Sequence, residues 1–172
     1  MKNKILIIII ILSQLFLANK LFSQEIDIKA KDIEFSNDQN LTIANNATAI
    51  IKEDDIIIKG EKIEYFKDKS FLFIKNGKIL TANEDFEINS NIIEYKIDES
   101  NLELKENVII KDNINNLIME SNEISYNLKK RKIVSQNPSE IRDEFNNIYK
   151  VDGFEYSIND RIIKLDNLVA LD

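Results

Sequence analysis

Ile56-Ile-Ile-Lys-Gly60-Glu-Lys-Ile63-Glu-Tyr65 carries a pattern that runs five times through the chain. Written from its small residue, the pattern reads Ala30-Lys-Asp-Ile33-Glu-Phe35, Gly60-Glu-Lys-Ile63-Glu-Tyr65, Ser90-Asn-Ile-Ile93-Glu-Tyr95, Ser121-Asn-Glu-Ile124-Ser-Tyr126 and Val151-Asp-Gly-Phe154-Glu-Tyr156, at steps of 30, 30, 31 and 30 residues. Asn46, Asn76, Asn107, Asn137 and Asn167 keep the same register at steps of 30, 31, 30 and 30. A fixed period of this size marks a repeat architecture, in which each unit is one supersecondary element that buries its apolar face against its neighbours.

Within each repeat the apolar residues alternate, the period of a strand and not of a helix. Leu41 and Ile43, Phe71 and Phe73, and Leu102 and Leu104 are read as leading through the marker Asn to Ala49 and Ile51, to Ile79, and to Val108 and Ile110 with no change of parity. The companion strand slips: Ile56 and Ile58 are even, Ile63 and Tyr65 odd. The same slip separates Ile26 and Ile28 from Ile33 and Phe35, and Phe86 and Ile88 from Ile93 and Tyr95. An extra residue turns every later side chain to the other face unless a bulge or bend absorbs it. Each copy is therefore expected to bend near its small residue, giving a sheet folded along a line with one apolar concave side.

Polar turns fall at two places per repeat: at 36–40, 67–70, 98–101, 127–131 and 157–161, and again at 52–55, 81–85, 111–116 and 142–147. Their Asn, Asp, Ser and Lys content suits hairpins. The reading is an all-β, antiparallel meander of ten strands in two-strand repeats beginning near 30, 60, 90, 121 and 151, the last incomplete at Asp172. The rival is a parallel β-solenoid, a structural repeat of a secreted surface or adhesin protein, in which the asparagines stack as a ladder. It would also stack Glu34, Glu64 and Glu94 about 4.8 Å apart, an unfavourable like-charge column. Lys132 and Pro138 interrupt the fourth copy, and a proline inside a strand implies an edge or a bulge.

The chain has 172 residues, 44% hydrophobic, with no His, Cys or Trp, enough for one core. Lys2 and Lys4 precede an apolar run from Ile5 to Ala18, which reads as an export signal over residues 1–23, cleaved after Ser23; a retained anchor is the alternative. The remainder, 24–172, is one domain. Cleavage removes three lysines and no acid, leaving 20 basic against 30 acidic residues and a net charge of −10. That balance opposes nucleic-acid binding, which needs clustered cations. The basic cluster Lys129-Lys130-Arg131-Lys132 falls in a turn and is read as solvated.

No catalytic constellation is legible. Without His or Cys, triads, thiol chemistry and the usual zinc sites are excluded. Acid pairs such as Asp54-Asp55 lie in turns, and the Glu34, Glu64, Glu94 and Glu155 series would sit about 9–10 Å apart, too far to share a calcium ion. No cofactor or metal site is expected. The informative feature is the apolar face, which besides Leu41, Ile56, Phe86 and Val108 holds Ile33, Phe35, Ile43, Ile58, Ile63, Tyr65, Phe71, Phe73, Ile88, Ile93, Tyr95, Leu102, Leu104, Ile110, Met119, Ile124 and Tyr126. Two readings of it stay open: a closed sandwich core, or an open groove for long apolar ligands.

The small residue, two polar residues, Ile, one polar residue and Tyr, followed by Asn and an alternating strand, resemble the OstA-like lipopolysaccharide-transport domains. Gly60-Glu-Lys-Ile-Glu-Tyr65 and Glu106-Asn107-Val108-Ile-Ile110 carry the likeness, which covers about residues 26–172. The sequence departs from that family in having Asn45, Lys75, Glu106, Gln136 and Asp166 where a glycine usually precedes the marker Asn. The resemblance implies a V-shaped folded β-jellyroll in the periplasm and no enzymatic activity. Its partners would be lipopolysaccharide, held by its acyl chains in a groove lined by the seventeen residues from Ile33 to Tyr126 just named, and other jellyrolls joined through edge strands. Residues 141–165 look most like the periplasmic domain that precedes the barrel of an outer-membrane assembly protein, which would imply association with the outer membrane. A retained anchor would point to the inner-membrane member instead.

Overall fold

The computed structural model describes residues 26–81 and 85–171, with the side chains of the last two left out; the export-signal reading of residues 1–23 lies outside these. Twelve strands form one sheet: β1 (Ile26–Lys29), β2 (Asp32–Phe35), β3 (Leu41–Ile51), β4 (Ile56–Phe66), β5 (Phe71–Thr81), β6 (Phe86–Lys96), β7 (Asn101–Asp112), β8 (Leu117–Asn127), β9 (Lys132–Ser135), β10 (Ser139–Arg142), β11 (Ile148–Ser157) and β12 (Ile162–Leu171). Every pairing is antiparallel, which overturns the solenoid. β1 and β2 are two halves of one strand on β3, and β9 and β10 two halves of one strand between β8 and β11. The described residues thus form a ten-strand meander, as the repeats predict. Pro138 lies in the break between β9 and β10, inside the sheet and not at its edge.

A crease crosses the strands at the marker asparagines and divides the sheet into two facing arms. Asn46, Asn76 and Asn167 sit at φ of 47° each, and Glu106 and Asn107 at 63° and 54°. This left-handed backbone costs an ordinary L-residue about 1–2 kcal/mol but is tolerated by Asn. At Asn46 and Asn76 it reverses the alternation: Thr42 and Ala44 are buried before the crease and Ala47, Ala49 and Ile51 after it, and likewise Leu72 and Ile74 before, Ile79 after. The expectation of unchanged parity fails here, and Leu41, Ile43, Phe71 and Phe73 lie half-buried on the outer face. In β7 two successive left-handed residues form a bulge, and Leu102, Leu104, Val108 and Ile110 keep one parity.

The small residues line the inner corner. Ala47, Gly60, Gly77 and Ser90 are in register across β3 to β6. A Cβ on Gly60 would come within 2.4 Å of Ile74 Cγ2, and one on Gly77 within 2.4 Å of Ile93 Cδ1. Neither glycine has positive φ, so each serves close approach alone. Ser90 Oγ lies 2.8 Å from the carbonyls of both Ile92 and Lys105, which share its one hydroxyl proton, and covers the register shift between β6 and β7.

Asn76→Ala should destabilise the domain by about 1–2 kcal/mol and Asn76→Gly by far less, measured as urea midpoints. Gly77→Ala should cost about 1–3 kcal/mol through overpacking. Adding Ile93→Val, which removes the clashing Cδ1, should recover part of that loss.

Candidate functional site

Directly paired residues in an antiparallel sheet project to the same face, so the register defines the inner surface row by row. One row on the first arm runs Thr42, Tyr65, Leu72, Tyr95, Leu102, Tyr126, Ile133, Tyr156, Ile163. Facing it, the second arm contributes Ala49, Ile58, Ile79, Ile88, Ile110, Met119 and Ile141. Of the candidate groove residues, Ile58, Ile63, Ile88, Ile93, Tyr95, Leu102, Leu104, Ile110, Met119, Ile124 and Tyr126 are buried on this inner surface, and Tyr65 is half-buried there. Ile33 and Phe35 lie on the same surface at the β2 edge, 37% and 66% exposed. Ile43, Phe71 and Phe73 do not belong to it: Phe73 pairs with Glu64 and Glu94 on the outer face.

Among the described residues no open trough runs along the middle of this surface. Ile58, Ile63, Ile74, Ile88, Ile93, Leu102, Leu104 and Ile124 each have 0% exposure, so the arms are packed on one another through their own side chains. The inner surface reaches solvent at its two ends, at Ile33 and Phe35 on β2 and at Leu165 (37%) and Leu168 (55%) on β12. Residues the alternation missed include Leu72, Ile74, Ile133, Phe154 and Tyr156, all buried inside. They sit on the opposite parity, or in the degraded fourth and fifth copies.

The mouth, where the turns of the two arms meet, is polar. Tyr95 donates its hydroxyl hydrogen bond to Asp54, in the turn between β3 and β4. Tyr156 Oη donates to Asp112 Oδ2 at 2.6 Å and accepts from Asn115 Nδ2 at 2.9 Å. Burial first, and the carboxylate second, push both phenols well above the ordinary tyrosine range, so both remain donors at neutral pH. Between them a pocket of 330 Å³ is lined by Tyr126, Phe86, Leu128, Asp54, Asp85, Lys129 and Arg131, among others. Two members of the basic cluster thus reach the mouth, and Lys132 pairs with Glu155 at 2.8 Å on the outer face.

The outer face is charged and self-compensating. Glu94 is directly opposite Glu103, but Lys105 binds Glu94 at 3.0 Å and Asn101 donates to Glu103 at 2.7 Å. Lys62 pairs with Glu64 at 2.6 Å and Lys78 with Glu87 at 3.0 Å. Such half-exposed pairs are each worth no more than about 1 kcal/mol; their effect is to keep this face soluble and unattractive to stray strands. Among the described residues no cluster of acids could hold a metal ion, and no helix is long and apolar enough to cross a membrane.

Burial pushes the Tyr126 phenol up to about 12. Its unfolded value is near 10, so its contribution is complete below pH ~10 and is lost as pH rises through about 12, the unfolded state releasing a proton that the fold retains. Tyrosinate absorbance should show Tyr126 ionising near 12, and Tyr95 and Tyr156 ionising only as the fold is lost.

No curated protein matches the chain. Among solved structures, it resembles the crystal structure of LptH from Pseudomonas aeruginosa, described as the LptA homologous periplasmic component of the conserved lipopolysaccharide transport device; identity is 12%, coverage 87% of this chain and 93% of that one. The TM-score is 0.33, too low for the overlay to carry weight. The sequence of residues 5–170 matches the model of the lipopolysaccharide-assembly, LptC-related family. With nearly its whole length matched, this chain belongs to the LptC-related lipopolysaccharide-assembly family.

Proposed function

We propose that this protein carries lipopolysaccharide through the periplasm, taking the acyl chains between its two arms and passing them to jellyrolls joined at its edges. The observation that carries the reading is the inner apolar surface, continuous across the strands and exposed at both edges, at Phe35 and at Leu165. Each buried methylene is worth about 0.8 kcal/mol, so ten carbons of acyl chain contribute roughly 8 kcal/mol. A carboxylate facing a lipid phosphate 4 Å away in water costs about 1 kcal/mol, so hydrophobic burial outweighs the acidic character of the chain. The packed middle of the core adds a condition. Ile58, Ile63, Ile93 and Leu104 can meet an acyl chain only when the arms separate, whereas the two ends already offer apolar surface. Among the described residues, β1 and β2 at one edge and β12 at the other have a neighbour on one side only, and such edges accept a strand from another chain. The carrier reading assigns no catalytic residue, cofactor or metal.

Photo-crosslinking residues at Phe35 and Leu165, on the inner surface, and at Phe73 and Glu94, on the outer face, test the reading in cells that export the chain. Lipopolysaccharide adducts are expected at 35 and 165 and at neither 73 nor 94. A folded protein that yields none at 35 or 165, or equal amounts at all four positions, would remove the support for a carrier.

A further inference from the structure

We propose that the Tyr95–Asp54 and Tyr156–Asp112 hydrogen bonds are latches that hold the arms shut at the mouth, and that an acyl chain enters sideways when they break, through the gap around Tyr126. The proposal rests on the carrier reading and adds to it a route and the residues that control it.

The two tyrosines are equivalent in the repeat, their acceptors are not, since Asn115 and not Asp112 stands at the position of Asp54, but both bonds join different layers. Tyr95 and Tyr156 stand in one inner row of the first arm. Asp54 and Asp112 belong to turn regions of the second arm, 41 and 44 residues earlier in the chain. Asp112 is part of a built turn. Asp112 Oδ1 accepts from the backbone N–H groups of Ile114 and Asn115, 3.0 Å each, and its Oδ2 from Asn115 Nδ2 at 2.7 Å. That turn therefore has bonds of its own to hold its shape without the tyrosine, and the phenol adds the link between arms. Nothing covalent supplements that link, because the chain has no cysteine.

Tyr126 occupies the same row one repeat between the latches, and there the mouth opens into the 330 Å³ pocket. Its floor is apolar, with the Phe86 and Tyr126 rings 6.2 Å apart, and its rim carries Lys129 and Arg131 from one arm against Asp54 and Asp85 from the other. Behind that floor lies the packed core. An acyl chain reaching the pocket is thus one layer of side chains from the inner surface, and what resists it is the closure of the arms on either side. Exposed apolar residues also lie on turns of the second arm: Ile114, on the turn that holds the second latch, is 52% exposed, and Phe145, on the adjacent turn, is 76% exposed.

A third phenol–carboxylate bond provides the control. Tyr149 Oη donates to Asp143 Oδ2 at 3.0 Å, but both residues belong to the second arm, so this bond joins nothing across the mouth.

The test uses the full chain with cysteines introduced at Asp55 and Lys96, exposed positions on opposite sides of the mouth. Spin labels there report the width of the mouth, and stopped-flow fluorescence with a dansylated dodecanoic acid reports uptake. Tyr95→Phe with Tyr156→Phe should broaden and lengthen the distance distribution and speed uptake roughly tenfold, while Tyr149→Phe leaves both unchanged. A cleavable bis-maleimide bridge between the same two cysteines, with the tyrosines intact, should block uptake until it is cut; this arm stands even if the double variant folds poorly. Uptake that continues through the bridge, or latch variants with wild-type distances, would overturn the proposal. If the wild type takes up neither the probe nor lipopolysaccharide, the carrier reading falls. The distances still decide separately whether these bonds close the mouth.

Discussion

The fold depends on a backbone conformation that few residues tolerate. A ten-strand meander with apolar residues on alternate positions would be a flat sheet with one greasy face, open to any other strand or sheet. Left-handed residues at Asn46, Asn76 and Asn107 crease that sheet, so its two halves cover each other and no second layer is required. The cost of about 1–2 kcal/mol per left-handed site for most residues explains why the position is asparagine in copy after copy. Glycine would serve the backbone as well, but asparagine also reaches across the crease: Asn76 Nδ2 donates to Glu61 at 2.6 Å and Asn167 Nδ2 to Asp152 at 3.1 Å.

Steric crowding at the crease then dictates the small residues beside it. Where two layers of one sheet converge, a Cβ on Gly60 or Gly77 would overlap the isoleucine of the next strand. Further from the crease the layers diverge and the inner residues grow, through isoleucine and leucine to the tyrosines Tyr95, Tyr126 and Tyr156 at the mouth. Tyrosine suits that depth because its ring extends the apolar core while its hydroxyl reaches the polar turns. One repeat unit thus grades from small to large to amphipathic along a single strand.

That gradation bears on function as much as on stability. The core is packed through its middle, and two phenol–carboxylate bonds cross its rim. Among the described residues its apolar surface is most exposed at Ile33 and Phe35 and at Leu165 and Leu168. A carrier for a long-chain lipid faces opposed demands: a permanently open apolar trough invites aggregation, and a permanently closed one takes no cargo. On the proposed reading, polar bonds at the rim are a physical means of reconciling the two.

The sequence by itself determined the repeat, the strands, both sets of turns and the existence of a crease at the small residue, because period, alternation and turn chemistry are local properties; it favoured antiparallel pairing, which the structure decided. It also placed eleven of the seventeen candidate groove residues among the buried inner ones, from Ile58 to Tyr126. It could not decide which face of β3 and β5 turns inward. Phe71-Leu72-Phe73-Ile74 is apolar on both parities, and choosing Leu72 and Ile74 requires knowing that Asn76 is left-handed. Only the tertiary structure decided that, along with the packing of the core and the phenol–carboxylate bonds at the mouth. Tyr95 meets Asp54, and Tyr156 meets Asp112, across 41 and 44 residues. That separation is set by how two creased arms are offset when they pack, and no local pattern encodes it.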